Sequence, residues 1–168
     1  MNKAVLISIR PEWCKLIASG EKTIEVRKTH PNKEPPFKCY IYESRGDQRF
    51  GNESYNSVKK GNGRGKVIGE FVCNGVLEYK YPSCYNENEA SGFLRWGSCL
   101  TEKEIWQYGL GQTLWGWHIS DLKIYDTYKE IRDFRLWYPT TIWENGYPMP
   151  SHAIKRPPQS WVYVEEVQ

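Results

Sequence analysis

No stretch of this 168-residue chain approaches the roughly 20 consecutive apolar residues that a membrane-spanning helix needs, which excludes a helical integral membrane protein. The opening MNKAVLISIRPEW has too short an apolar run for a secretory leader, so no membrane attachment and a cytoplasmic setting are expected. Cysteine is odd in number, and Cys14, Cys39, Cys73, Cys84 and Cys99 include no Cys-x-x-Cys pair matched by a second pair downstream. A zinc site and a disulfide framework are both disfavoured, and the thiols read as reduced, mostly buried small hydrophobes. The zinc deaminase pattern of His-x-Glu followed by Pro-Cys-x-x-Cys is missing. There is no nucleophile elbow, and GNGRGK lacks the spacing of a phosphate-binding Walker loop. Histidine is scarce, and His118 and His152 stand alone, as hydrogen-bonded structural or surface residues do. No metal and no cofactor is expected.

Charge of one sign is lacking too. A net charge of +3 does not by itself mark a nucleic-acid binder. What the chain has in abundance is aromatic side chains, 15% of residues with eight Trp and twelve Tyr. Flat side chains at that density either fill a core or stack on planar ligands.

Length favours a single domain over residues 1–168, since halving the chain would leave two marginal cores. Val5, Ile7 and Ile9 alternate with Leu6, Ser8 and Arg10, a strand signal. Pro11 suits the first turn of a helix whose Trp13, Leu16 and Ile17 share a face, and Gly20 is placed to end it. Strands are expected over 22–28, across KCYIYES, and along GKVIGEFVCNGVLEYK with Gly69 and Gly75 as bends. Thr101 and Glu104 form a capping-box pattern before a short helix carrying Ile105, Trp106 and Tyr108, which Gly109 stops. WGWHISDLKIYD and SWVYVEEV are the last strand signals. Residues 46–65 have almost nothing to bury and read as a long mobile loop, and 81–100 as an insert. Five to six strands with short flanking helices, not interleaved, indicate an α+β fold built on a mixed, partly closed β-barrel.

The segments VLISIRPEW, GEKTIEVRK, YIYES, GKVIGEFVC, WHISDLKIYD and RPPQSWVYV, in this order and with the helix after the first, resemble an ASCH domain of the PUA-like superfamily. The most specific piece is G-x-K-T-x-E-x-R, matched by Gly20, Lys22, Thr23, Glu25 and Arg27. The resemblance implies a barrel with a cleft holding that motif, and RNA or a modified nucleotide as partner. Some small members similar to this chain are amidohydrolases that deacylate a modified cytidine with a lysine, a threonine three residues on, and a later glutamate. Lys22 matches the lysine, but Glu25 stands in the threonine's place and GFLRWGSC offers no carboxylate. Ribonuclease activity is also attributed to some ASCH proteins.

On alternation, Ser8 and Arg10 from one strand and Thr23, Glu25 and Arg27 from another converge if the two strands pair. Guanidinium forks suit phosphate and base edges, Glu25 suits an exocyclic amine, and Lys22 suits the steering of phosphate. Arg10, Lys22, Thr23, Glu25 and Arg27 are therefore the expected nucleotide contacts, with Trp117 and Trp161 as a stacking wall. If the chain is instead a hydrolase, Lys22 and Glu25 activate water. The plain alternative is a solvated strand face with an internal ion pair. Trp13, Trp106 and Tyr40 are expected in the core. The basic residues Lys59, Lys60, Arg64 and Lys66 could close over a phosphate backbone or simply keep a loop in solution. A protein-interaction adaptor would instead show its aromatics as an exposed apolar patch.

Overall fold

The computed structural model describes residues 2–46, 62–80, 95–138, 143–144, 147–148 and 152–167. Most of the expected loop at 46–65 and of the insert at 81–100, including Lys59, Lys60 and Cys84, lies outside the described residues. The elements in order are β1 (Lys3–Ile9), α1 (Pro11–Ala18), β2 (Ile24–Arg27), β3 (Phe37–Glu43), β4 (Lys66–Tyr79), α2 (Glu102–Gly109), β5 (Leu114–Lys129), a 3-10 turn (Ile131–Asp133), the short strands β6 (Trp143–Glu144) and β7 (Tyr147–Pro148), and β8 (Trp161–Glu165).

Six strands form one mixed sheet in the order β2-β5-β4-β3-β1-β8, and β6 pairs with β7 as a separate ladder. β1 runs parallel to β3 and antiparallel to β8, while β2 runs antiparallel to β5. Among the described residues no pairing joins the two ends of this order. The chain divides into two compact units, one of residues 1–14, 39–70 and 124–168, the other of residues 15–38 and 71–123, so that the halves of β4 and β5 belong to different units.

In the first unit the core gathers Ala4, Leu6, Tyr40, Tyr42, Val67, Phe134, Ile154 and Val164, with Tyr40 edge-on to Phe134 at 4.9 Å. Simple alternation fails for β1. Ala4 to Ile7 are all wholly buried, because a strand inside a partly parallel sheet is covered on both faces. The helix α1 begins as its sequence dictates, with Pro11 at the first position and Arg10 O accepting from Cys14 N at 3.0 Å. It ends at Gly20, whose φ of +80° is open to glycine at little steric penalty.

The second unit packs Ile24, Val26, Ile105 and Leu114 together, with Tyr79 and Leu100 at the margin. Its helix α2 carries the anticipated capping box: Thr101 Oγ1 accepts from Glu104 N at 3.3 Å, and Glu104 Oε2 accepts from Thr101 N at 2.8 Å. The face it buries is Ile105 and Gly109, four residues apart. Trp106, expected in the core, is half exposed instead, since it points away from that stripe. The left-handed cap is Leu110 rather than Gly109, and a side chain at 109 would press against Leu114.

Candidate functional site

The GEKTIEVRK segment lies wholly in the second unit, and its charges are not on a solvated face. Lys22 and Glu25 are 3% and 5% exposed, and the Arg27 side chain is 11% exposed. Ile24 and Val26 on the opposite face are buried as well, so β2 is covered on both sides. The plain alternative of a solvated strand face does not describe these residues.

Glu25 is the centre of the cluster. Its Oε1 lies 2.9 Å from the Arg27 guanidinium and its Oε2 lies 3.4 Å from Lys22 Nζ. Lys22 Nζ also donates to the Ile24 and Ser98 carbonyls, both at 2.8 Å. Two hydrogen bonds to carbonyls thus anchor the ammonium, and the Glu25 carboxylate faces it as an ion pair. Burial pushes the Lys22 pKa below the ordinary lysine value, with the Glu25 carboxylate opposing the shift.

The wall that receives the lysine is a segment that motif reasoning passed over. Gly97, Ser98 and Cys99 run alongside Glu21 to Thr23, with Thr23 N donating to Gly97 O at 2.8 Å and Cys99 Sγ donating to Glu21 O at 3.4 Å. Ser98 is wholly buried, and its hydroxyl accepts from Leu100 N at 3.2 Å. A Cβ at Gly97 would lie 2.7 Å from the Ile24 side chain and 3.0 Å from Thr23 Oγ1, so only glycine permits this approach. Three small residues just ahead of a capping box were the available signal, a weak one.

The other expected contacts sit differently. Thr23 is exposed, with its backbone held by Gly97 O and by Ile119 N. Trp117 stands opposite Glu25 in the β2–β5 register but is wholly buried, edge-on to Phe37 at 6.0 Å. It is a core residue and not the rim of a cleft, because β5 is covered on both faces at that point. Arg10 and Trp161 belong to the first unit, Arg10 exposed at the entry to α1 and Trp161 half-buried on β8. The pairing that would bring Ser8 and Arg10 beside Thr23, Glu25 and Arg27 is not made, since β1 pairs with β3 and β8 and β2 with β5. Ser8 donates to Pro158 O at 2.7 Å instead. His118 meets Asn74 through Nδ1 at 2.7 Å, as a surface histidine does.

A second buried carboxylate, in the first unit, escaped the sequence reading. Glu43 at the end of β3 is 2% exposed, accepts from Arg64 N at 3.1 Å, and meets the Arg64 guanidinium at 2.6 Å. Gly65 N donates to Glu43 O and Gly63 N to Arg45 O, so residues 62–65 are laced onto 43–45. A Cβ at Gly63 would run into the Ser44 carbonyl and the Pro11 ring. Among the described residues no cluster of His, Cys, Asp and Glu could hold a metal ion, and no helix is long and apolar enough to cross a membrane.

Comparison with known proteins adds to this geometry. Solved structures of the Zymomonas mobilis ASCH protein share the fold: one point mutant is 19% identical, covering 98% of this chain and 92% of that one with a TM-score of 0.59. The unmutated protein is 17% identical with coverages of 97% and 88% and a TM-score of 0.58, and a second point mutant is 18% identical with 97%, 89% and 0.59. At such identities the likeness speaks to the fold alone. A search of curated proteins gives no match. The model of the ASCH domain matches residues 7–142, most of the chain and the whole of GEKTIEVRK. With its mixed sheet, short helices and PUA-like α+β architecture, this chain belongs to the ASCH domain family.

Proposed function

We propose that this ASCH chain binds RNA or a modified nucleotide at the cluster formed by Lys22, Glu25 and Arg27. The observation that carries the reading is the burial of three formal charges, two positive and one negative, on and beside a four-residue strand. Desolvating charges opposes folding by several kcal/mol per ion before pairing restores part of it, and apolar residues of the same size would be the cheaper filling. A cluster with a cationic surplus suits one phosphate or one electron-rich base edge. In this reading the groups have different tasks. Arg27, at the open end of β2, makes the contact through its planar fork. Glu25 orients that fork. Lys22, bonded to two carbonyls and ion-paired with Glu25, positions Glu25 and joins β2 to the Gly97–Cys99 wall, and Thr23 is the exposed neighbour that can add a hydroxyl bond.

The same lysine supports a second reading, a hydrolase acting on a modified nucleoside or RNA. An amine whose pKa is lowered by burial and which sits 3.4 Å from a carboxylate has the makings of a general base. The two carbonyl bonds that anchor Nζ inside the fold favour binding over that role.

Titration of the protein with single-stranded RNA at fixed moderate salt tests the reading, with Arg27→Ala as the probe because Lys22 is too deeply built in to remove cleanly. Weakened binding by a variant that melts like the wild type supports it, and unchanged affinity contradicts it. Incubation with RNA and with acylated nucleosides, followed for product, decides the second reading: turnover that vanishes in a Lys22→Met variant shown by circular dichroism to keep its fold would put the hydrolase first.

A further inference from the structure

Resting on the RNA reading, we propose that a row of three aromatic side chains in the first unit, Trp137, Tyr163 and Trp161, is a stacking surface for the bases of single-stranded RNA, with Lys3 and Arg135 meeting the backbone phosphates. The row follows from alternation. Val162, Val164 and Leu136 pack on the core of that unit, together with Ala4 and Leu6. Their strand neighbours therefore share the opposite face: Trp161 and Tyr163 on β8, Lys3 on β1, and Arg135 and Trp137 on the segment bridged to β8 at Leu136 and Val164. Trp137 N donates to Tyr163 O at 3.1 Å, which fixes the register of that segment.

The rings meet edge to face. Trp137 and Tyr163 have centroids 6.3 Å apart, and Tyr163 and Trp161 5.3 Å, each pair inclined at 69°. All three residues are half-buried. The ammonium of Lys3 lies 3.6 Å from the Tyr163 centroid and 4.6 Å from that of Trp137, within the range of a cation–π contact. Arg135 is exposed two residues before Trp137, and Glu165, opposite Lys3 in the register, is the carboxylate of the face.

These features select among ligands. A cationic ligand that displaces Lys3 from the rings brings the freed ammonium no partner, whereas a base that does so brings a phosphate for it. A single strand of nucleic acid suits both halves of the face, since every base has a π-surface for the rings and every linkage a phosphate for Lys3 and Arg135. The surface is sequence-tolerant by nature, so it supplies affinity, whereas the Arg27 cluster reads a particular phosphate or base edge.

Fluorescence anisotropy tests the proposal with two labelled probes, a single-stranded RNA of roughly ten nucleotides, within the usual span of stacking grooves, and an abasic phosphodiester of equal length. Trp161→Leu, which keeps apolar burial without a stacking plane, should bind the RNA roughly tenfold more weakly and the abasic strand as the wild type does. Lys3→Gln should weaken both probes and flatten the salt dependence. A Trp161→Leu protein that melts like the wild type and binds RNA equally well overturns the stacking surface while leaving the Arg27 reading intact. Loss of binding in Trp161→Leu but none in Arg27→Ala leaves the stacking surface standing and removes the Arg27 reading. A wild-type protein that binds neither probe overturns both.

Discussion

The two units each bury a glutamate against an arginine, and they do so in opposite ways. Glu43 in the first unit is sealed, but its partner Arg64 keeps 48% of its side chain in solvent and lies 5.0 Å over the Tyr128 ring. Glu25 in the second unit is buried together with Lys22, and Arg27 keeps only 11% of its side chain in solvent. The first arrangement is a clamp: its hydrogen bonds tie residues 62–65 to the end of β3, and the cation can return to water if the carboxylate is lost. The second holds Lys22 and Glu25 where neither can rehydrate without unpacking the strand, with Arg27 reaching solvent only at its margin, an expense that chain closure does not require. Under the proposed function, the difference separates a pair that serves the fold from a cluster that serves binding.

The comparison can be broken by mutation. Glu25→Ala is the largest expected effect, because it leaves two buried cations facing each other, and a loss of about 3–5 kcal/mol in urea unfolding is expected. Arg64→Ala should follow at about 2 kcal/mol, since it strands the Glu43 carboxylate although Arg64 N can still donate to it. If the two losses were equal, the contrast between sealed and half-open pairs would fail.

Lys22→Met sharpens the same point through pH. The folded-state pKa of Lys22 lies below its unfolded value of 10.5, so between the two the unfolded chain binds more protons at this site. The wild type should therefore gain stability relative to Lys22→Met as pH rises through that window, read from urea midpoints across a pH series. A flat difference would mean that burial is not what shifts this amine.

The smallest expected effect is Thr101→Ala, about 1 kcal/mol for an exposed helix cap. Hydrogen bonds from Thr101 hold the Glu104 carboxyl below its ordinary value, so the cap contributes in full above about pH 4.5, the ordinary glutamate value, and is lost as pH falls through the lowered one. Thermal melts near pH 7 and at acid pH should show the difference from wild type shrinking at the acid end.

Much of the architecture was legible in the chain. Pro11 and Gly20 bracket α1, Thr101 and Glu104 start α2, and alternation marks β8 correctly, with Val162 and Val164 inward and Trp161 and Tyr163 outward. Each of these depends on local chemistry. Alternation misled where tertiary context decides: Leu6 is as buried as Val5, and Glu25 as buried as Val26, because neighbours cover both faces of those strands. The motif pointed to Lys22, Thr23, Glu25 and Arg27, and of these Glu25 contacts both Lys22 and Arg27. It could not supply Ser98, Gly97 or the Glu43–Arg64 clamp, since those meet only through contacts distant in sequence, from a separation of 21 for Glu43–Arg64 to 76 for Lys22–Ser98. Which strand neighbours which is likewise absent from a local pattern, and so Arg10 and Ser8 were grouped with β2 although β1 never pairs with it.

The central claim, that Arg27 on its buried carboxylate is the group that meets the ligand, is tested most directly by nuclear magnetic resonance of the arginine side chains. In protein with labelled arginine, the Arg27 Nε–H resonance, assigned from Arg27→Lys, should shift as single-stranded RNA is added and saturate with the binding curve measured by anisotropy. RNA that binds while this resonance stays in place would contradict the account.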